Sequence, residues 1–282
     1  MTDLLHTWHC GSFVFEQKRP LVVGVLNVTP DSFSDGGCFA EPSAALAHAR
    51  VMLESGANII EVGGESSRPG SRELEVQEEL DRVLPVVTTL AHQGVCVSID
   101  SRHPAVIEAC LDEGASIIND ITGFTSASLQ ELALGSKAGC VIMHMQGEPQ
   151  TMQDNPCYSD VVAEVGGFLL RQAQLLEDRG VDKRRLCLDV GPGFGKNYEQ
   201  NLLLLQNTAH FASLGFPPYL LMAAWSRKQF LGTITGEALP ANRIAGSVAA
   251  ALFAAEQGAG VLRVHDVKPT VDALNVWEAA RG

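Results

Sequence analysis

The chain has 282 residues, 46% of them hydrophobic, and its 20 Lys and Arg against 33 Asp and Glu leave a net charge of −13. That acidity speaks against a nucleic-acid or anionic-membrane surface, because such binding rests on clustered Lys and Arg. No apolar run approaches the roughly eighteen residues of a membrane span, and MTDLLHTWHC lacks a basic, apolar signal pattern. A soluble cytoplasmic protein is expected.

In chain order, residues 1–20 read as a short N-terminal extension, with WHCGSFVFE (8–16) as a hairpin. Strand-like runs follow at LVVGVLNV (21–28), NIIEVGG (58–64), VCVSIDS (95–101), SIINDI (116–121), CVIMHM (140–145), LCLDVG (186–191), YLLMAAW (219–225) and VLRVHD (261–266). They are almost continuously hydrophobic, as strands covered on both faces should be. Helical patterns lie between them at 43–54, 72–92, 105–112, 129–137, 160–179, 199–214, 243–257 and 271–281. Gly56, Gly114 and Gly180 stand just past three of these helices, where a left-handed cap is wanted. Gly166 and Gly167 fall in the middle of the fifth, with no reason visible in the sequence.

Eight strand–helix repeats without a linker predict a (β/α)8 TIM barrel, a single domain spanning 1–282. A doubly wound open sheet is the alternative. Seven cysteines occur without a CxxC pair or a Cys/His cluster, and three sit inside strand runs. Those three read as small buried hydrophobes, and the set as reduced thiols and not as a disulfide framework or a zinc site.

A TIM barrel places its chemistry at the C-terminal ends of the strands. Those ends carry Asn27, the run Glu65 to Arg68, Asp100, Asn119 with Asp120, His144, Asp189, Ser226 to Lys228, and Arg263 with His265. A single Asp after a strand is as readily a cap or turn former, but here every strand contributes. Asp100, Asn119 and Asp189 suit a nitrogen heterocycle with adjacent N–H donors, such as an aminopyrimidine. The alternative is that the two carboxylates pair internally with Lys228 or Arg263, since an unpaired buried carboxylate is costly. Arg68, Arg263 and His265 suit phosphate. GPGFGK (191–196) lacks the spacing of a nucleotide P-loop, so its glycines read as tight turning. His144 is open between a catalytic group and a satisfied core histidine.

Taken together, NVTPDSFSDGG, GGESSRPG, SID, INDI, MHMQGEPQTMQ, DVGPGFGK, SRK and RVHDV resemble, in order and spacing, the dihydropteroate synthase family over about residues 20–270. The resemblance implies condensation of 6-hydroxymethyl-7,8-dihydropterin pyrophosphate with 4-aminobenzoate, with Mg²⁺ as cofactor, sulfonamides as competitors and a homodimer as the assembly. It assigns Asp100, Asn119 and Asp189 to the pterin, with Lys228 at its edge and Met143 in the same site. Asn27 would hold Mg²⁺, while Arg263 and His265 would bind the phosphates. Phe194, Ser226 and Lys228 would line the aminobenzoate pocket. Ser67, Arg68 and Pro69 would belong to a second mobile loop, and Asp31 and Asp35 to a first, hinged at Gly36 and Gly37. The catalytic set implied is Asp100, Asp189, Lys228, Arg263 and His265. The sequence departs from the family pattern at Val190 and Pro192, at Ala223 to Trp225, at Ser67 (commonly Thr) and at Glu61, which stands where Asp is usual.

Overall fold

In the computed structural model, which describes residues 7–29, 42–65 and 74–281, Thr7–Cys10 (β1) and Phe13–Glu16 (β2) form the expected antiparallel hairpin. Eight parallel strands follow: Leu21–Asn27 (β3), Ile59–Gly63 (β4), Val97–Asp100 (β5), Ile117–Asp120 (β6), Gly139–Met143 (β7), Leu186–Asp189 (β8), Leu220–Ala223 (β9) and Val261–Val264 (β10). They close in chain order, with β10 pairing to both β9 and β3. The closed barrel excludes the open sheet.

Strand alternation sorts the apolar residues into two layers. Leu21, Val23, Ile59, Ile117, Val141 and Val261 fill the barrel interior, whereas Val22, Leu26, Ile60, Val62 and Ile99 pack outward against the helices. Trp8 and Cys10 of the hairpin join the interior cluster, and Trp8 Nε1 donates to the Arg185 carbonyl at 3.0 Å. The hairpin is therefore a stopper in the N-terminal end of the barrel. Chemistry is left to the opposite end.

The helices are Pro42–Glu54 (α1), Val76–His92 (α2), Pro104–Asp112 (α3), Ala127–Gly135 (α4), Val161–Asp178 (α5), Tyr198–Gln206 (α6), Thr208–Ala212 (α7), Gln229–Thr235 (α8), Ile244–Glu256 (α9) and Val267–Arg281 (α10). Three depart from expectation. The pattern over 199–214 breaks at Asn207, whose side chain donates back to the Leu203 carbonyl at 2.8 Å, giving α6 and α7. The seven residues of α8 form too short an apolar run to be seen in the sequence. The last helix starts at Val267, not 271, because Pro269 falls in its first turn, where no N–H is required. Among the described residues no helix is long and apolar enough to cross a membrane.

The Gly166–Gly167 pair does not interrupt α5, which is capped by Asp160 accepting from Val162 and Ala163 N–H groups at 3.0 and 3.1 Å. A Cβ on Gly166 would meet His210 and Phe211 of α7 and Leu214 just beyond it at 3.6–3.9 Å, ordinary contact distances. Gly166→Ala is therefore expected to stabilise the protein by about 0.5–1 kcal/mol through helix propensity. A thermal or urea unfolding curve measures it, and a loss of stability would show that the helix packs closer than these distances imply.

Candidate active site

The barrel register sets the polar residues in rows. Asn27 pairs with Gly63, Gly63 with Asp100, and Asp100 with Asn119, while Met143 pairs with Asp189. Residues singled out from the sequence thus come to two levels of one mouth. Asp100, Asn119, Met143, Asp189, Phe194, Lys228 and Arg263 line a single pocket there, together with Ile121, Pro192 and Ala224.

A charge network holds the floor of this pocket. Arg263 Nη2 contacts Asp100 Oδ2 at 2.8 Å, and its guanidinium also pairs closely with Glu61, which is 1% exposed. The second Glu61 oxygen accepts from Asn119 Nδ2 at 2.8 Å. One guanidinium therefore serves two carboxylates and indirectly fixes the amide. Burial and then the Glu61 carboxylate push Asp100 up to about 7, against the pull of Arg263 and Lys228. Burial opposes the charge on Arg263, yet Glu61 and Asp100 hold its pKa above the ordinary arginine value. Asp189 is likewise raised by burial, partly offset by the Gly191 N–H that donates to it at 2.8 Å. The internal pairing considered for Asp100 is present, with Arg263 as partner. Asn119 lines the pocket, and its Oδ1 is buried with no hydrogen-bond partner among the described residues, an acceptor left short of a donor.

GPGFGK wraps the other side. Lys196, 2% exposed, reaches the carbonyls of His144, Gly191 and Phe194 at 3.1, 2.9 and 2.9 Å and His144 Nδ1 at 3.0 Å. Three N–H groups serve four acceptors, so one bond is shared. Burial draws Lys196 down to about 7. Burial and the Lys196 charge hold His144 at about 3, so its ring stays neutral and accepts. His144 is the satisfied core histidine, and the glycines of 191–196 are turn formers: Gly191 and Gly195 have φ of +65° and +64°. The clamped turn presents Phe194, over whose ring Lys228 Nζ lies 4.7 Å from the centroid.

Beside the pocket, Ser226 Oγ lies 3.1 Å from both the backbone N and the Nδ1 of His265, tying β9's exit to β10's. Arg227, at φ +59°, forks onto Asp266 at 2.7 and 3.0 Å, so the middle residue of SRK fastens the turn that projects Lys228. A Cβ on Gly63 would stand 3.7 Å from Asn27 Oδ1 and 3.6 Å from Asp100 Cβ. The bare glycine leaves Asn27 a hard oxygen donor with room beside it, which fits Mg²⁺, an ion that takes few protein ligands and keeps water and phosphate oxygens. Asp31, Asp35, Gly36, Gly37, Ser67, Arg68 and Pro69 lie outside the described residues.

Ile121 carries no signal in the sequence, whereas Glu61 and Pro192 stand out there as departures from the family pattern and Lys196 as the end of the DVGPGFGK element. A glutamate inside the apolar run IIEVG is itself a signal, because only a buried cation or amide makes it tolerable. Ala224, another of those departures, lines the pocket beside Pro192.

A barrel mouth with two carboxylates, an amide and flanking cations suits a nitrogen heterocycle, and residues 23–265 match the family described as pterin binding enzyme. The chain is 46% identical to the dihydropteroate synthase of Escherichia coli (strain K12) over 263 residues, 93% of this chain and 92% of the relative. A Xanthomonas albilineans dihydropteroate synthase structure with 4-aminobenzoic acid superposes with a TM-score of 0.91 at 43% identity, covering 98% of each chain. A Burkholderia cenocepacia dihydropteroate synthase structure with 7,8-dihydropteroate gives 0.90 at 44% identity, covering 99% of this chain and 98% of that one. The chain belongs to the pterin binding enzymes and, within them, to the dihydropteroate synthases.

Proposed function

We propose that the chain condenses 6-hydroxymethyl-7,8-dihydropterin pyrophosphate with 4-aminobenzoate to give 7,8-dihydropteroate and pyrophosphate, a transferase step of folate synthesis that sulfonamides would compete against. The observation that carries this reading is the convergence of Asp100, Asn119 and Asp189 with Lys228 and Arg263 on one pocket at the barrel mouth. Acceptors on three adjacent groups match the N–H edge of an aminopyrimidine ring, which is also what the partnerless Asn119 Oδ1 calls for.

In this reading the pterin lies between the carboxylates and the apolar Ile121 and Met143, with Lys228 at its rim. Arg263 and His265 face the diphosphate and stabilise the charge that develops as the C–O bond to the pterin methylene breaks. Asn27 would hold Mg²⁺, which when bound neutralises diphosphate charge. Asp100 and Asp189 stabilise the cationic pterin that pyrophosphate leaves behind. The arylamine then attacks the methylene carbon and gives up one N–H proton. An aniline nitrogen is already nucleophilic and its ammonium acidic, so positioning by Phe194, Ser226 and Lys228 replaces a strong general base. Asp31 and Asp35, with Ser67, Arg68 and Pro69, are assigned to loops that cover the substrates.

The single barrel, the reducing, cytoplasmic setting of its buried thiols and a homodimer complete the proposal. Apolar side chains at Ile234, Leu239, Ile244, Phe253 and Val276 stand exposed around α8 to α10, the face assigned to the second subunit. The deciding experiment incubates the chain with the pterin pyrophosphate, Mg²⁺ and 4-aminobenzoate and measures dihydropteroate and pyrophosphate together. Saturable pterin binding without either product would sink the proposal.

A pH profile follows from Asp100. With its pKa near 7 in the free enzyme, Asp100 is protonated below that pH and loses an acceptor for the pterin. The value of kcat/KM for the pterin substrate is therefore expected to fall toward tenfold per pH unit below about 7. Asp100→Asn should be slower throughout and lack this acid limb; an unchanged limb in that variant would assign it to another group.

A further inference from the structure

Where β4 and β5 leave the barrel, three side chains converge that the condensation does not use. Glu65 lies two residues beyond β4, Glu79 in the first turn of α2, and His103 at the N-cap of α3. Each offers one donor atom, and the three atoms lie within 4.8 Å of one another. His103 Nε2 is 3.3 Å from Glu65 Oε2 and 3.9 Å from Glu79 Oε2. A tetrahedral ion with bonds of about 2.0–2.1 Å would want its ligand atoms about 3.3–3.4 Å apart, a spacing that His103 and Glu65 already hold and that His103 and Glu79 exceed by about half an ångström.

Proximity of acidic groups alone is common; Glu79 adds an independent sign. It is 0% exposed, and neither carboxylate oxygen has a hydrogen-bond partner in good geometry among the described residues. The nearby Ser101 hydroxyl offsets only part of the burial that raises this carboxyl. A buried carboxylate aimed at an imidazole and a second carboxylate, so poorly answered, is a ligand set short of its cation. The surroundings hold the set in place. Arg102 Nη2 binds Glu65 Oε1 at 3.0 Å, which orients the carboxylate and leaves Oε2 facing His103. Gly64 abuts α2 so closely that a Cβ there would stand 2.9 Å from Glu79 Cγ, and Arg82 fixes the Gly64 carbonyl at 3.0 Å.

We propose that Glu65, Glu79 and His103 form a binding site for one zinc-class divalent cation, which ties α2 and α3 to the exits of β4 and β5. Two carboxylates and an imidazole suit Zn²⁺ or Mn²⁺ better than Mg²⁺, which dehydrates reluctantly and prefers oxygen alone. The site is thus chemically distinct from Asn27 and its diphosphate partner, and it requires no substrate.

The test uses the full chain carrying Cys38→Ser and Cys157→Ser, which removes the one exposed thiol among the described residues and the one cysteine outside them, stripped with chelator and free of substrates. Titration with Zn²⁺ against a chromophoric indicator is expected to show one site per chain, with affinity reduced at least about tenfold in His103→Ala. Because His103 is partly exposed and Glu79 is not, His103→Ala is the variant that keeps its fold, as circular dichroism would verify. Added Zn²⁺ should also raise the unfolding temperature of the parent and not of His103→Ala. Absence of binding, binding unaltered by His103→Ala, or a preference for Mg²⁺ over Zn²⁺ would each overturn the proposal.

Discussion

Arg263→Ala is expected to lower kcat by about 10²–10³, the loss of about 2.7–4 kcal/mol seen when a charge-stabilising donor is removed from an active site. It should also unfold more easily. Glu61 is 1% exposed and would lose its cation, whereas Asp100, at 20% exposure, keeps access to water. Removing one partner of a buried pair costs about 3–5 kcal/mol, because the remaining charge is stranded. The two effects can be separated. In Arg263→Ala combined with Glu61→Gln the stranded charge is gone, and the new amide oxygen can still accept from Asn119 Nδ2. Most of the stability should then return while turnover stays low. Recovery of turnover along with stability would mean that Arg263 serves only to neutralise Glu61. Thermal unfolding and steady-state pyrophosphate release measure the two quantities on the same preparations.

Gly191→Ala is expected to cost more than about 4 kcal/mol or to prevent soluble expression. At φ +65° an L side chain is already strained, and its Cβ would fall 1.9 Å from the His144 carbonyl oxygen. That oxygen and the Gly191 carbonyl are both bound by Lys196, so the methyl would force apart two groups that one ammonium holds together. Gly193→Ala is the control. Its φ of +81° carries the same kind of backbone strain, about 1–2 kcal/mol, but its Cβ would meet only the Lys228 side chain, with Cδ at 3.6 Å. A denaturant series across parent, Gly193→Ala and Gly191→Ala should therefore show a small step and then a large one. Equal costs would show that backbone conformation, and not the approach of the β7 exit, sets the requirement for glycine at 191.

Arg263 and Gly191 mark where the sequence could be read and where it could not. The eight strands were legible because each is an apolar run bounded by turn formers, and apolar continuity survives any detail of packing. Their polar ends were legible for the same reason, since a charged or amide residue closing an apolar run is visible without coordinates. The hairpin was legible too, from its apolar segments on either side of Gly11. Less visible were features set by particular hydrogen bonds. Asn207 splits a helix by bonding to its own preceding turn, and α8 is held by Arg243, which binds the carbonyls of Arg227, Ala238 and Glu237 around it.

The division is sharpest at the site. Residue order alone was enough for the barrel, for the end at which chemistry would sit, and for the company of carboxylates, an amide and cations, because these follow from periodicity and from residue type at strand ends. Which group answers which is a property of the folded chain. Folding brought Glu61 and Asp100 to one guanidinium across 202 and 163 residues of chain, and it made His144 an acceptor for Lys196. It also left Glu79 facing Glu65 and His103 without a well-placed donor. Charge pairing in a low-dielectric interior depends on separations of a few ångströms, and no local pattern of residues encodes a distance between strands.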